Sequence, residues 1–377
     1  MTIKPKLRKI TLSGYKSFSG NIPQEVEFGD VNILIGANGA GKSNFVSFFK
    51  MLNKMAGRKL QEYIGSQGGA DSLLHYGSKS TPFLQGALDF RDENDKENSY
   101  SFRLAFASQD TLIFTDERTT CRVKPEWSPR TVSLDAGHKE ALVFSDDINE
   151  TAIRVMSTIL KKCRVYQFHD TTDDSDLRKT TYIENNYPLF PNGGNLAACL
   201  LGMKSSEDYL LYYKRIVQWI NNIFPLFDDF VLEPSPYSPH STILKWREKG
   251  NEYIFGPHQI SDGTLRFMAL ATLLLQPPDL FPNLLILDEP ELGLHPAAIG
   301  SLAGMVQTAS QHCQVILATQ SPQLLDEFSA EDIIVTERDR CNRYTVLKRL
   351  SSEELKDWLE DYCLSELWEK NVLGGQP

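Results

Sequence analysis

The chain has 377 residues, a formal net charge of −10, and contents of 41% hydrophobic and 10% aromatic residues. That is enough apolar matter for one large core with an insertion or for two to three domains, and it excludes a disordered or low-complexity chain. The acidic balance counts against stable wrapping of nucleic acid, although a local basic patch could form on dimerisation.

Cys121, Cys163, Cys199, Cys313, Cys341 and Cys363 are scattered without a C-x-x-C pair, as in reduced, mostly buried thiols of a cytoplasmic protein. No run approaches the roughly 18 apolar residues of a membrane span. Lys4, Lys6, Arg8 and Lys9 have no apolar segment behind them, so neither a membrane partner nor a signal peptide is expected.

Residues 7–12 alternate and 25–28 and 31–35 are short β-type runs, so the chain opens on a few strands. Gly14-Tyr15-Lys16-Ser17-Phe18 between them is either a turn or a segment facing a nucleotide base. The apolar run 31–35 leads into Gly36-Ala37-Asn38-Gly39-Ala40-Gly41-Lys42-Ser43, and residues 44–49 have helical character. Strand, glycine-rich loop and helix with the spacing G-x-x-x-x-G-K-[ST] predict a phosphate-binding loop. Glycines let backbone N–H groups approach phosphate oxygens, and the helix N-terminus adds partial positive charge. Lys42 is placed to reach the β- and γ-phosphates and the Ser43 hydroxyl to ligate Mg²⁺. A tight glycine turn without a ligand is the bland alternative, and the flanking strand and helix argue against it.

After a glycine-rich segment at 65–71, strand-like runs at 82–90, 100–107, 111–115 and 119–123 are separated by charged turns such as Arg91-Asp92-Glu93-Asn94-Asp95. They predict an antiparallel meander. From about 148 the pattern turns helical: a helix at 150–161, a short apolar run at 165–168, an acidic loop at 170–178 and two helices within 196–224. Tyr209, Tyr212, Tyr213, Trp219 and Phe224 read as packing rather than a base-stacking platform. His169, Asp170, Asp173, Asp174 and Asp176 read as a solvated acidic loop, because no second His or Cys stands at ligand spacing. Strands at 242–248 and 253–255 close the insertion, and no heptad is sustained.

Ile260-Ser261-Asp262-Gly263-Thr264-Leu265-Arg266 precedes an apolar helix at 267–275, which Pro277-Pro278 stop. Leu284-Leu285-Ile286-Leu287-Asp288-Glu289-Pro290 reads as a buried parallel strand delivering two carboxylates at its C-terminal edge. A turn through residues 291–296, a helix at 297–311 and a strand at 314–318 ending at Thr319-Gln320-Ser321-Pro322 follow. A further helix and strands at 332–335 and 344–348 complete an α/β core. Residues 351–377 predict an acidic amphipathic helix whose Trp358 and Trp368 pack back on the core, or else offer a partner surface.

The P-loop, the Ser-x-Gly segment heading a distant helix, and Asp-Glu after an apolar strand together resemble the heads of ABC-type ATPases, in particular the SMC, RecF and OLD-nuclease (overcoming-lysogenization-defect) group. Tyr15-Lys16-Ser17-Phe18 is similar to that group's opening motif, and Asp288-Glu289-Pro290-Glu291-Leu292-Gly293-Leu294-His295-Pro296 to its Walker B and D-loop. Phe168-His169-Asp170-Thr171, Gly194-Asn195-Leu196-Ala197 and Glu366-Leu367-Trp368-Glu369-Lys370-Asn371 resemble segments of stand-alone bacterial ATPases, so the resemblance covers nearly the whole chain.

That resemblance implies an α/β, ABC-type P-loop head with an antiparallel β N-lobe and an inserted helical subdomain, without a long coiled coil. The implied division is 1–147 and 236–350 for the two parts of the head, 148–235 for the insertion and 351–377 for the tail. ATP and Mg²⁺ are the implied ligands. Lys16, Ser17, Gly36, Asn38, Gly39, Ala40, Gly41, Lys42, Ser43 and Asn44 would contact the nucleotide. Asp288 would hold Mg²⁺ through water beside Ser43, with either Gln167 (preferred) or Gln67 as the Q-loop ligand. Glu289 would be the general base, with Lys42 and Gln320 beside it in the catalytic set.

Ser261 and Gly263 would cap the γ-phosphate bound to the other protomer, so hydrolysis would require an ATP-dependent homodimer. On its own Ser-Asp-Gly-Thr is an ordinary helix N-cap. Gln320 stands where such heads have a switch histidine; glutamine can hydrogen-bond a phosphate but carries no imidazolium charge, which implies slow turnover and a sensing role. The chain lacks the coiled-coil arms of SMC proteins and the Toprim domain of OLD nucleases. The implied function is an ATPase regulating a protein effector, as in bacterial defence, and the alternative is an SMC/RecF-like ATPase acting directly on DNA. A transporter's nucleotide-binding subunit is disfavoured by the insertion.

Overall fold

Alternating residues and unbroken apolar runs sort into different sheets. The computed structural model describes residues 4–92, 96–122, 128–148, 150–234, 237–339, 341 and 343–376. Its chain divides into two units, one of residues 1–165, 282–286 and 313–377, the other of residues 166–281 and 287–312. In chain order the first unit contributes β1 (Lys6–Ser13), β2 (Gln24–Glu27), β3 (Val31–Ile35), α1 (Lys42–Ala56), α2 (Leu60–Ser66), α3 (Ala70–Leu73), β4 (Phe83–Arg91), β5 (Glu97–Ala107), β6 (Thr111–Arg122), β7 (Arg130–Leu134) and α4 (Thr151–Lys161). β8 (Cys163–Tyr166) carries the chain into the second unit, which holds β9 (Thr181–Tyr182), α5 (Leu196–Ser205), α6 (Leu210–Ile223), β10 (Phe227–Val231), β11 (Ser241–Thr242), β12 (Lys245–Glu248), β13 (Ile254–Phe255) and α7 (Asp262–Leu274). β14 (Leu284–Asp288) begins in the first unit and ends in the second, followed by α8 (Pro296–Ser310). β15 (Gln314–Thr319), α9 (Pro322–Leu325), β16 (Ile333–Arg338), β17 (Thr345–Arg349), α10 (Lys356–Leu359) and α11 (Leu364–Glu369) return to the first.

β4 alternates strictly between buried and half-buried residues, and β5 does so from Glu97 to Ala105, the mark of a sheet with one face on a core. They belong to an antiparallel sheet ordered β2-β1-β4-β5-β6-β7. Its core face meets α1, which buries Phe45, Phe48, Phe49, Leu52 and Met55 at helical spacing; Phe48 stacks on Phe102 with centroids 6.1 Å apart. β3, β14 and β15 are buried along their whole length and lie in a mixed sheet ordered β17-β16-β3-β15-β14-β8. β3 pairs in parallel with both β15 and β16, and β16 pairs antiparallel with β17. This is the predicted ABC-type α/β head with an antiparallel lobe.

Three local expectations change. The runs at 111–115 and 119–123 form one strand, β6, because a bulge at Thr115 of β6, opposite Arg103 and Leu104 of β5, lets the polar Asp116-Glu117-Arg118 keep pairing. Glu117 is fully buried there, yet satisfied by the Tyr100 hydroxyl (2.8 Å) and the backbone N–H groups of Leu142 (2.9 Å) and Val143 (3.1 Å). Val123 and Glu93-Asn94-Asp95 lie outside the described residues. The tail is two short helices rather than one, because Glu366 accepts from the Cys363 N–H (3.0 Å) and starts α11 afresh. Trp368 is buried and Trp358 is exposed, so one of the two tail tryptophans packs. Of the cysteines, Cys163, Cys199 and Cys313 are buried, and burial pushes their thiols up to about 12; Cys341 and Cys363 are exposed. Among the described residues no helix is long and apolar enough to cross a membrane.

Candidate functional site

β3 ends at Ile35 and the chain wraps into the loop that begins α1. At Gly36 a Cβ would stand 2.2 Å from the Thr336 carbonyl oxygen, so the loop can leave the sheet only with glycine there. Gly41 sits at φ 120°, and a Cβ would also meet the Thr345 hydroxyl at 2.2 Å. No side chain caps the first turn of α1 and no acidic residue lies in it. An N-terminus of fifteen helical residues with its amides directed into a glycine loop is complementary to an anion.

The Lys42 ammonium is buried against the loop itself, donating to the carbonyls of Gly36 (2.5 Å) and Ala37 (3.3 Å). Asn38, Gly39 and Ser43 are exposed, leaving the loop tip and the Ser43 hydroxyl open. The loop thus offers backbone donors, one fixed cation and one open hydroxyl, which fits a polyphosphate with its divalent cation.

The Tyr15–Phe18 segment packs on this loop. Asn44 donates its amide to Ser17 Oγ at 2.8 Å, and Thr345 Oγ1 lies 2.7 Å from the same oxygen and 2.8 Å from the Ala40 carbonyl oxygen. The Thr345 N–H donates to the Ser17 carbonyl oxygen (2.8 Å). Thr345 went unrecognised in the sequence: a threonine opening a C-terminal strand gives no signal of a partner some three hundred residues earlier. Lys16 adopts φ 48° and donates from Nζ to Gln67 Oε1 at 3.1 Å. Burial, assisted by Lys50, lowers its pKa from the usual lysine range. Gln320 is half-buried just past β15, in the same unit as the P-loop. The tail also reaches this loop: the Gly375 carbonyl accepts from the Ala37 N–H at 2.8 Å.

The second unit gathers the remaining predicted residues. Asp288 ends β14, and Gln167 Nε2 donates to its Oδ2 at 3.1 Å. The two glutamines weighed for the Q-loop therefore have different company, Gln167 beside Asp288 and Gln67 beside Lys16. Glu289 is half-buried with φ 44°, a left-handed conformation that costs a non-glycine residue about 1–3 kcal/mol and persists only where its surroundings fix it. Such strain concentrates at functional positions.

Ser261 caps α7: its Oγ accepts from the Thr264 N–H (3.3 Å) and lies 2.8 Å from Thr264 Oγ1. Ser261 is exposed at the helix tip. Gly263 has a packing reason of its own, since a Cβ there would stand 2.5 Å from the Gly293 carbonyl oxygen of the turn after Glu289.

Two buried arginines hold these pieces. Arg266 donates to the carbonyls of Phe168 (2.8 Å), His169 (3.1 Å) and Leu292. Burial lowers its pKa from the usual arginine range. Arg178 donates to Thr171 O (2.9 Å), Ile260 O (3.2 Å), Pro257 O and Asp262 Oδ1 (2.7 Å). Arg266 was legible in principle, as a lone cation in an apolar helix must find acceptors; Arg178, inside an acidic loop, was not. The acidic loop disperses: Asp170 turns onto Thr172, Asp176 meets Lys179 (2.9 Å) and Asn192 (2.6 Å), and Asp173 lies 3.4 Å from His258. His169 leaves them, its Nε2 standing 2.7 Å from the Asp288 carbonyl oxygen.

A family model described as "AAA domain, putative AbiEii toxin, Type IV TA system" matches residues 31–326, well over half of the chain. Among the curated proteins nothing matches. Among solved structures the chain is similar to an Smc head bound to the C-winged helix domain of ScpA, at 15% identity and TM-score 0.59 over 94% of this chain and all of that one. It is also similar to the Smc head of Pyrococcus furiosus with an extended coiled coil, bound to the C-terminal domain of ScpA (15%, TM-score 0.57, 95% and 99% covered). The SMC head domain of Thermotoga maritima is a third (14%, TM-score 0.50, 92% and 99% covered). At these identities the likeness is one of fold.

Proposed function

We propose a function from one premise: the chain belongs to the AAA-domain family whose model spans residues 31–326, an ATP-binding ABC-type ATPase on an SMC-head-like fold. It binds ATP with Mg²⁺, hydrolyses it slowly, and dimerises around it to regulate a protein partner. The observation that carries this reading is the P-loop, with its uncapped helix N-terminus and Lys42 held against the Gly36 carbonyl.

In this reading the amides of residues 38–43 cradle the phosphates, Lys42 meets their β/γ oxygens, and Lys16, Ser17 and Asn44 flank the nucleotide. Ser43, Asp288 and Gln167 hold the cation, which when bound screens the phosphate charge. Glu289 takes the proton of the attacking water and Gln320 senses the γ-phosphate. Ser261 and Gly263 of a second copy cover the same phosphate, so ATP is an adhesive that hydrolysis removes. The division at 147/148, 235/236 and 350/351, the cytoplasmic location and kinship with stand-alone bacterial ATPases bearing Asp288–Pro296 as Walker B and D-loop belong to this proposal.

A role in defence through a partner protein is supported by the family description, which names a toxin of a type IV toxin–antitoxin system. The second reading, direct action on DNA, rests on the resemblance of Tyr15–Phe18 and Asp288–Pro296 to motifs of the SMC and RecF group. Glu289→Gln with ATP tests both. A nucleotide-dependent dimer in size-exclusion chromatography is expected, and a monomer at every ATP concentration overturns the sandwich. Duplex-DNA affinity confined to the trapped form and falling steeply with salt would move the assignment to the second reading.

A further inference from the structure

We propose that His169 is a positioning residue for hydrolysis, gripping the peptide between Asp288 and Glu289 so that the Glu289 carboxylate points where the reaction needs it. The inference rests on the role proposed above for Glu289. The plane of that peptide turns with ψ of residue 288 and φ of residue 289, so a group that holds the Asp288 carbonyl oxygen also holds Glu289 at its φ of 44°. His169 Nε2 lies 2.7 Å from that oxygen. A carbonyl only accepts, so Nε2 carries the hydrogen and the ring is in a defined tautomer.

Nδ1 is then an acceptor, and it takes one N–H of Gln167 Nε2 at 3.0 Å while the other goes to Asp288 Oδ2 at 3.1 Å. The ring closes on itself: imidazole to Asp288 backbone, Asp288 carboxylate to Gln167 amide, amide back to imidazole. Arg266 fixes the outer edge of this ring by binding the Phe168 and His169 carbonyls. The same guanidinium holds Leu292 O, so the turn carrying Glu289 is gripped at its start by His169 and at its end by Arg266. A histidine serving only to fill space would need none of these hydrogen bonds.

Two substitutions separate positioning from packing. His169→Phe keeps the ring and loses both nitrogens; His169→Gln loses the ring and keeps an N–H donor at about the reach of Nε2. His169→Phe is expected to lower kcat about 10- to 100-fold while ATP affinity, read by titration of a fluorescent ATP analogue, stays within about threefold. His169→Gln should recover part of the lost turnover. In a Glu289→Gln background His169→Phe should cost nothing further, because no base remains to be aimed.

In nucleotide-free protein, amide hydrogen exchange at Glu289, Glu291 and Leu292 should be faster in His169→Phe than in the wild type, a readout that needs no ATPase activity. Unchanged exchange there, full additivity with Glu289→Gln, or a His169→Gln protein as slow as His169→Phe overturns the proposal. Should Glu289→Gln turn over normally, it is the role of Glu289 that has failed. Faster exchange then still supports His169 as the holder of the turn, and unchanged exchange removes it.

Discussion

The two groups of candidate site residues differ in how they are made. The phosphate loop is eight consecutive residues running from the end of one strand into the first turn of one helix, and its chemistry lies mainly in backbone amides and a single buried ammonium. The Asp288 group is drawn from residues 167–178, 260–266 and 288–293, and its chemistry lies in side chains that have to be held by other side chains. A contiguous site needs only the right backbone conformation. A dispersed one needs a scaffold of hydrogen bonds, and here two buried arginines and a histidine supply it. On this comparison the loop should govern affinity and the Asp288 group should govern chemistry, and variants can break that assignment.

The largest effect is expected from Glu289→Gln, which keeps size and hydrogen bonding but removes the basic oxygen. Turnover should fall about 100- to 10,000-fold, the contribution of a positioned general base, with ATP affinity retained. A steady-state phosphate-release assay beside nucleotide titration checks both halves of the statement. Lys42→Ala should do the reverse, lowering ATP affinity about 100-fold through loss of a charge-assisted contact to phosphate. Calorimetric titration that finds wild-type affinity would mean the loop is a glycine turn and nothing more.

This contrast also explains what could be read in advance. The loop and the carboxylate-bearing strand were legible because each is a local pattern: an apolar run followed at once by the residues it delivers, as in Leu284–Asp288. The antiparallel lobe was legible through the alternation of Phe83–Arg91. Glu117 hid the continuity of β6, because a buried carboxylate in mid-strand is tolerated only by partners from another part of the chain, Leu142 and Val143. Arg178 hid for the same reason, its acceptors lying about eighty residues on at Pro257, Ile260 and Asp262. Sequence pattern reports what a residue does to its neighbours in the chain, and is silent on bonds closed across it.

Arg178→Met sharpens the scaffold side of the comparison. It preserves the stem and removes every guanidinium bond, leaving the carbonyls of Thr171, Pro257 and Ile260 to be satisfied otherwise. A loss of about 2–4 kcal/mol in unfolding free energy is expected, smaller than for a fully buried ion pair because the Asp262 side chain is 65% exposed. Urea unfolding measures it, with faster hydrogen exchange expected over residues 258–262. A midpoint equal to the wild type's would show that water replaces the guanidinium at no cost.

Thr345→Val is the smallest and the most discriminating change, because it adds a scaffold contact to the loop, the region that otherwise manages with backbone alone. Valine keeps the shape of threonine, and Thr345 is fully buried, so packing is conserved. What goes is the hydroxyl between the Ala40 carbonyl and Ser17 Oγ. Ser17 keeps its bond from Asn44, and β17 keeps the backbone bond from Thr345 N–H to Ser17 O, so the strand should stay where it is. The Ala40 carbonyl loses its side-chain donor and the Ser17 hydroxyl loses its Thr345 partner, at a cost of about 1 kcal/mol. Since the peptides on either side of Ala40 shape the anion cradle, that cost should appear in ATP affinity, about fivefold weaker, rather than in turnover at saturation. Lower saturated turnover with unchanged affinity would reverse the comparison, by showing that the loop also depends on side-chain scaffolding for its chemistry.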